Sequence, residues 1–291
     1  MNASRKLGGT ANDIAFKGDT AFISVTKSHA IEVVNAKTGS HIGTMLLSIT
    51  QDPWDIEIIS PTLACVSTTN GDGIQFFNPS SLVLLENVMT GPATQGVAST
   101  SSLVFVANSG YGTLRDTVAG AGTVSVVDVA SARVVAALTV GKNVTEVAVS
   151  SDKKMLYAYY QELYTNPNAK QGIVEYDVAT LKETRRWEFS GIGYMNVVKD
   201  KIYVVGNTEA GTMTQQVLVI DRQSGSMTAA MTIPSTLTVN GLTVDPKDLS
   251  LWLCDAADYA SNGRAVHYSA TGTLLASFPV GLIPVRIVRF P

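Results

Sequence analysis

Seven times along this chain of 291 residues a short apolar run follows a polar, charged or glycine residue. The runs are Asn12-Asp13-Ile14-Ala15-Phe16, Trp54-Asp55-Ile56-Glu57-Ile58, Gln95-Gly96-Val97-Ala98, Thr145-Glu146-Val147-Ala148-Val149, Met195-Asn196-Val197-Val198, Asn240-Gly241-Leu242-Thr243-Val244 and Val285-Arg286-Ile287-Val288. Counted from the residue before the first aliphatic (Asp13, Asp55, Gly96, Glu146, Asn196, Gly241, Arg286), the intervals are 42, 41, 50, 50, 45 and 45 residues. Periods of this size belong to solenoids, arrays or propellers.

The content of one period decides among them. Asn12 to Phe16, Ala21 to Val25, Ala30 to Val34 and His41 to Leu47 each read as a strand, rich in β-branched residues and separated by Gly/Asn/Asp turns. The third strand and its turn recur most clearly. They read Ile31 to Gly39, Val124 to Ala130, Ile173 to Thr180 and Val217 to Gly225, with Phe76 to Ser80 and Val266 to Gly272 as divergent copies. The Asp or Asn opens the turn by bonding its own backbone, and Gly supplies positive φ. No helix period is present. Four-stranded units repeated radially make a β-propeller, whereas a linear solenoid needs polar capping repeats, and Val285 to Phe290 is apolar. Seven innermost strands predict an all-β, seven-bladed β-propeller in one domain. The repeats cover approximately 11–50, 51–91, 92–141, 142–191, 192–236 and 237–281, with a partial blade from 282–291 and 1–10. Two strands of that last blade are missing. An N-terminally shortened chain explains this, and a six-bladed arrangement with a spare strand is the alternative.

Composition removes several functions. The net charge is -3 with no basic run, against nucleic-acid binding. No apolar stretch reaches the 18 or so residues of a membrane span, and residues 1–9 are too short and polar for a secretory signal. Cys65 and Cys254 fall in different repeats and read as buried small hydrophobes. His29, His41 and His267 are scattered, against a Ser/His/Asp or metal-His centre. Trp54, Trp187 and Trp252 lack the period of quinone-docking repeats. Asn70-Gly71-Asp72-Gly73 reads as a hairpin turn, and Gly110 to Gly122 precedes a strand, the wrong context for a phosphate cradle.

The stretch Gly9 to Val25, followed by Ala30 to Gly39, resembles YVTN-type β-propeller repeats, nearest to bacterial envelope lipoproteins that include the BtuG-type cobalamin-binding propellers. The resemblance extends over the chain at repeat level. It implies a binding protein of the periplasm or outer-membrane surface, monomeric, working beside an outer-membrane transporter. Its ligand would be a corrinoid or another small or medium nutrient.

Within such a blade, the loop between the second and third strands shares a face with the start of the first strand. Here those loops are long: Asn108 to Ala121, Gln161 to Gln171, Asn207 to Thr214 and Asp255 to Gly263. Long loops on a rigid scaffold concentrate binding groups. The expected ligand-binding residues are Trp54, Gln95, Tyr111, Arg115, Tyr160, Tyr164, Tyr194, Asn240, Tyr259 and Arg286, since Tyr combines rigid contact area with a polar tip. Asp13, Asp55, Glu146 and Asn196 would converge at the start of the inner strands. They suit Ca²⁺, which takes about six to eight oxygen ligands, or else they hold water, with Arg286 neutralising Asp13. Three functions stay open: non-catalytic ligand recognition, a Ca²⁺-dependent hydrolase similar to propeller lactonases, and a protein-interaction platform.

Overall fold

A computed structural model describes residues 8–111, 114–161, 170–191, 193–207 and 214–289. Each of its sheets is a simple antiparallel meander. The first holds β1 to β4 (Thr10–Lys17, Thr20–Thr26, Ala30–Asn35, His41–Leu46), the second β5 to β8 (Pro53–Ser60, Leu63–Thr68, Gly73–Asn78, Val83–Met89) and the third β9 to β12 (Thr94–Ser99, Leu103–Asn108, Thr123–Asp128, Arg133–Thr139). The fourth holds β13 to β16 (Val144–Val149, Met155–Gln161, Lys170–Asp177, Lys182–Ser190), the fifth β17 to β20 (Met195–Val198, Lys201–Gly206, Gln216–Asp221, Met227–Thr232) and the sixth β21 to β24 (Val239–Val244, Leu251–Asp255, Asn262–Tyr268, Leu274–Leu282). The chain divides into two compact units, 1–147 with 290–291, and 148–289.

The described residues thus form six four-stranded blades, and the expectation of seven is wrong. The seventh cue misled because its residues pack like an inner strand without forming a ladder. Residues 284–289 carry no strand and lie along β21. The Asn240 amide donates to the Pro284 carbonyl at 3.2 Å, and the Thr243 hydroxyl donates to the Ile287 carbonyl at 2.6 Å. The Val285 carbonyl occupies the space a side chain at Gly241 would fill. The apolar alternation of that stretch reports contact with β21, not a blade.

Successive side chains of a strand point to opposite faces, and the middle strands use both. On β6, Ala64 and Val66 join one core with Phe22, Ile31 and Phe77, while Cys65 joins another with Ile74, Phe76 and Val104. On β18 of the second unit, Ile202 and Val204 pack with Tyr157, Ile173 and Leu218, whereas Tyr203 and Val205 pack with Val217, Leu253 and Val266. Burial on both faces explains why these strands read as continuous apolar runs. The outer strands cover one face only, which leaves Val83, Leu85 and Met89 of β8 exposed.

The turns from third to fourth strand carry the Asp/Asn cue as expected. Asn35 Oδ1 accepts the Lys37 and Thr38 amides at 3.0 and 2.9 Å, and Asp128, Asp177 and Asp221 accept the amides of Ser131, Thr180 and Ser224 at 2.8 to 2.9 Å. The residue four positions after each opening Asn or Asp lies in the left-handed region: Gly39 (φ 71), Leu82 (φ 58), Ala132 (φ 52), Leu181 (φ 56) and Gly225 (φ 74). Left-handed backbone costs a residue with a Cβ about 1–2 kcal/mol. Ala132→Gly is therefore expected to leave stability unchanged or raise it by up to about 1 kcal/mol. Ala130→Gly, at a position outside the left-handed region, should cost about 0.5–1 kcal/mol. Urea denaturation of the two variants against wild type checks the contrast.

Candidate functional site

Residues that open the inner strands tie neighbouring blades together within each unit. In the first unit the Asp13 amide donates to the Ser24 hydroxyl at 3.0 Å, and that hydroxyl donates to the Trp54 carbonyl. Asp13 Oδ2 in turn accepts the Ile56 amide at 3.0 Å. The pattern repeats one blade on. The Asp55 amide donates to Ser67 at 3.0 Å, Ser67 donates to the Gln95 carbonyl, and Asp55 Oδ2 accepts the Val97 amide at 2.9 Å. Ser24 and Ser67 are fully buried. Composition-based reading missed them, although a Ser 11 and 12 residues after the opening Asp was the available signal. Glu146 is half-buried, and its Cα would lie 2.8 Å from a side chain placed at Gly96.

The second unit ties its inner strands with neutral side chains in a different register. The Tyr194 hydroxyl donates to Asn240 Oδ1 at 2.9 Å, and the Val244 amide donates to Asn196 Oδ1 at 3.2 Å. Tyr160 is buried beneath the Arg186 guanidinium, 5.5 Å from its ring centre, and Arg286 is exposed. Tyr164, Asn166 and Asn168 lie outside the described residues. Of the expected ligand-binding set, Trp54, Gln95, Tyr194 and Asn240 therefore hold blades together through backbone or side-chain bonds. Among the described residues no group of three or more His, Cys, Asp or Glu side chains is placed to hold a metal ion. His29 bonds the Gln51 carbonyl at 3.0 Å, His41 lies 3.2 Å from Glu32, and the His267 ring stacks on Trp252 with centres 4.0 Å apart.

The loops between second and third strands present a different chemistry. Tyr111 and Tyr259 are 46% and 53% exposed, and both hold left-handed backbone, at φ 55 and 61. A bulky residue in that region is an outlier that its surroundings must enforce. Next to Tyr111, Arg115 forms a two-pronged bond with Asp72, with Nη1 at 2.7 Å from Oδ1, and Asp72 Oδ1 also accepts the Ala93 amide at 2.9 Å. Burial opposes ionisation of Asp72, but Arg115 and the Ala93 amide outweigh it and hold the carboxyl below its ordinary range. Arg115, expected to touch ligand, braces a loop. In the second unit Asp255 does the same work at the base of the Tyr259 loop. It accepts Arg264 Nη2 at 2.7 Å and Nε at 2.9 Å, the Thr238 amide at 2.9 Å and the Ala257 amide at 3.1 Å. Burial again opposes ionisation and is outweighed by these donors, so the pKa is lowered. Neither aspartate was singled out from sequence as a loop brace, because each works only with an Arg brought to it by the fold.

Both cysteines are buried and free. Burial pushes the Cys254 thiol up to about 12, with Arg286 opposing, and burial with the charges of Glu57 and Asp55 raises Cys65.

The architecture has many solved counterparts. Kuenenia stuttgartiensis hydrazine synthase matches over 92% of this chain and 85% of its own, at 16% identity and a TM-score of 0.75. The Neurospora crassa Pan2 WD40 domain matches over 95% and 80%, at 14% identity and a TM-score of 0.64. A quinoprotein alcohol dehydrogenase-like protein from Bacteroides thetaiotaomicron matches over 95% and 68%, at 15% identity and a TM-score of 0.66. No protein-family profile and no curated protein matches the sequence. Identities this low establish the β-propeller fold alone, so the YVTN and BtuG-type resemblance is supported only as far as that fold. No helix among the described residues is long and apolar enough to cross a membrane.

Two outcomes follow from this geometry. Ser24→Ala and Ser67→Ala each strip a buried amide and carbonyl of their shared partner and should cost about 1–3 kcal/mol in urea denaturation. Asp255 has a lowered folded pKa, so its contribution is full above the unfolded value near 3.9 and fades as pH falls through the folded value. The gap in melting temperature between wild type and Asp255→Asn should accordingly narrow below about pH 4.

Proposed function

We propose that this propeller is a non-catalytic recognition protein that binds a small or medium ligand through the loops joining second and third strands. The observation that carries the reading recurs in each unit taken by itself: Tyr111 of the first and Tyr259 of the second are each exposed and in left-handed backbone, beside an Asp–Arg pair that braces the loop. Tyrosines held this way offer contact area whose ordering cost is met before binding. The inner-strand carboxylates favour Ca²⁺ chemistry less, because Asp13 and Asp55 each bond a backbone amide.

Following the repeat resemblance, a corrinoid of the cell envelope is the first ligand to test, with sugars, lactones and divalent ions beside it in a thermal-shift screen. A ligand that raises the melting temperature should lose at least about tenfold in affinity, or roughly 1.4 kcal/mol, with Tyr111→Ala if it occupies the first unit's loop and with Tyr259→Ala if it occupies the second unit's. Unchanged binding in both variants, or turnover of a lactone, would set the recognition reading aside.

A further inference from the structure

We propose that residues 114–122 of the first unit form a latched strap, whose order is controlled by the Arg115–Asp72 pair and not by the loop's own hydrogen bonds. The strap is braced from two sides by adjacent residues of opposite charge. Arg115 reaches the turn between β6 and β7 at Asp72, while Asp116 lies 3.7 Å from Lys142, which precedes β13. The two braces differ. The Arg115–Asp72 pair is two-pronged and its side chains are 36% and 24% exposed, whereas the second is one 3.7 Å contact between Asp116, 19% exposed, and Lys142, 64% exposed. Two-pronged, partly buried charge pairs fix geometry; long, exposed ones contribute little.

Among the described residues the strap's amides bond from Leu114 to Tyr111 at 3.3 Å, Arg115 to Gly110 at 2.9 Å, Val118 to Arg115 at 3.1 Å, Ala121 to Val118 at 3.0 Å and Gly122 to Asn108 at 2.8 Å, and the Gly122 carbonyl accepts the Val140 and Gly141 amides at 3.1 and 3.2 Å. Before Gly122 none of these bonds leaves the loop. The apolar side chains give no anchorage, since Leu114 and Val118 are 75% and 43% exposed. Short loops with few buried contacts open locally at low free energy. The charge pair is therefore what closes the strap, and it ties the position of Leu114 and Val118 to the β6–β7 turn of the neighbouring blade. This inference is independent of what the loop binds.

Amide hydrogen exchange on the full chain tests it. Asp72→Asn keeps an oxygen for the Ala93 amide and removes the charge. Arg115→Gln removes the charge from the other side without touching Ala93. Each should speed exchange at Arg115, Val118, Ala121 and Gly122 by about tenfold, leave β9 to β12 protected, and give no further increase when combined, because both break one coupled pair. Asp116→Asn should change these rates by less than about threefold. Unchanged exchange in both single variants, additive effects in the double variant, or an equal effect of Asp116→Asn would overturn the latch. If Asp72→Asn unfolds the chain, Arg115→Gln decides alone.

Discussion

The hydrogen bond from the Ile56 amide to the Asp13 carboxylate, repeated from Val97 to Asp55, is the contact on which the arrangement of the first unit rests. Apolar packing between blades is strong but non-directional, and faces lined with Val, Ile and Phe tolerate sliding. A carboxylate that takes one particular amide of the next inner strand fixes the register between sheets that share no ladder. Ser24 and Ser67 complete the constraint by pairing buried backbone groups that no strand partner satisfies. Buried backbone groups are nearly always paired, so a Ser at this position answers a requirement of the fold.

The inner-strand polar residues thus have an architectural role in holding blades together. In the second unit Asn196 stands where the first has Asp13 and Asp55 and accepts the Val244 amide, and Tyr194 and Asn240, at neighbouring positions, bond each other. Asn196, like Asp13 and Asp55, places an acceptor against an amide of the next inner strand, without the charge. The loop tyrosines stand apart, exposed and conformationally constrained, and it is their setting more than their residue type that marks them.

The strand content and the turns were legible in the amino-acid order because each depends on neighbours in sequence. The meander of the first blade and the Asx turns at Asn35, Asp128, Asp177 and Asp221 were found within a residue or two of their places. The blade count was not legible. Residues 284–289 satisfy the same apolar pattern as an inner strand, and pairing, which defines a blade, leaves no trace in a single strand's sequence. The bonds made by Arg115, Trp54 and Gln95 were not legible for a related reason. Arg115 meets Asp72 across 43 positions, and Trp54 and Gln95 contribute carbonyls, which every residue possesses. Glycine was expected wherever the chain needed positive φ, yet Leu82, Ala132 and Leu181 occupy that conformation as well. There the Asn or Asp at the head of the turn dictates the backbone and the residue at its end conforms.

The two buried thiols lend the molecule a built-in clock. Only the thiolate reacts readily, and both cysteines are shielded from solvent and shifted away from that form. Modification must then wait for the surrounding sheet to open. Cys65 sits in one compact unit and Cys254 in the other. The pace at which each becomes reactive therefore records the breathing of its own half of the chain.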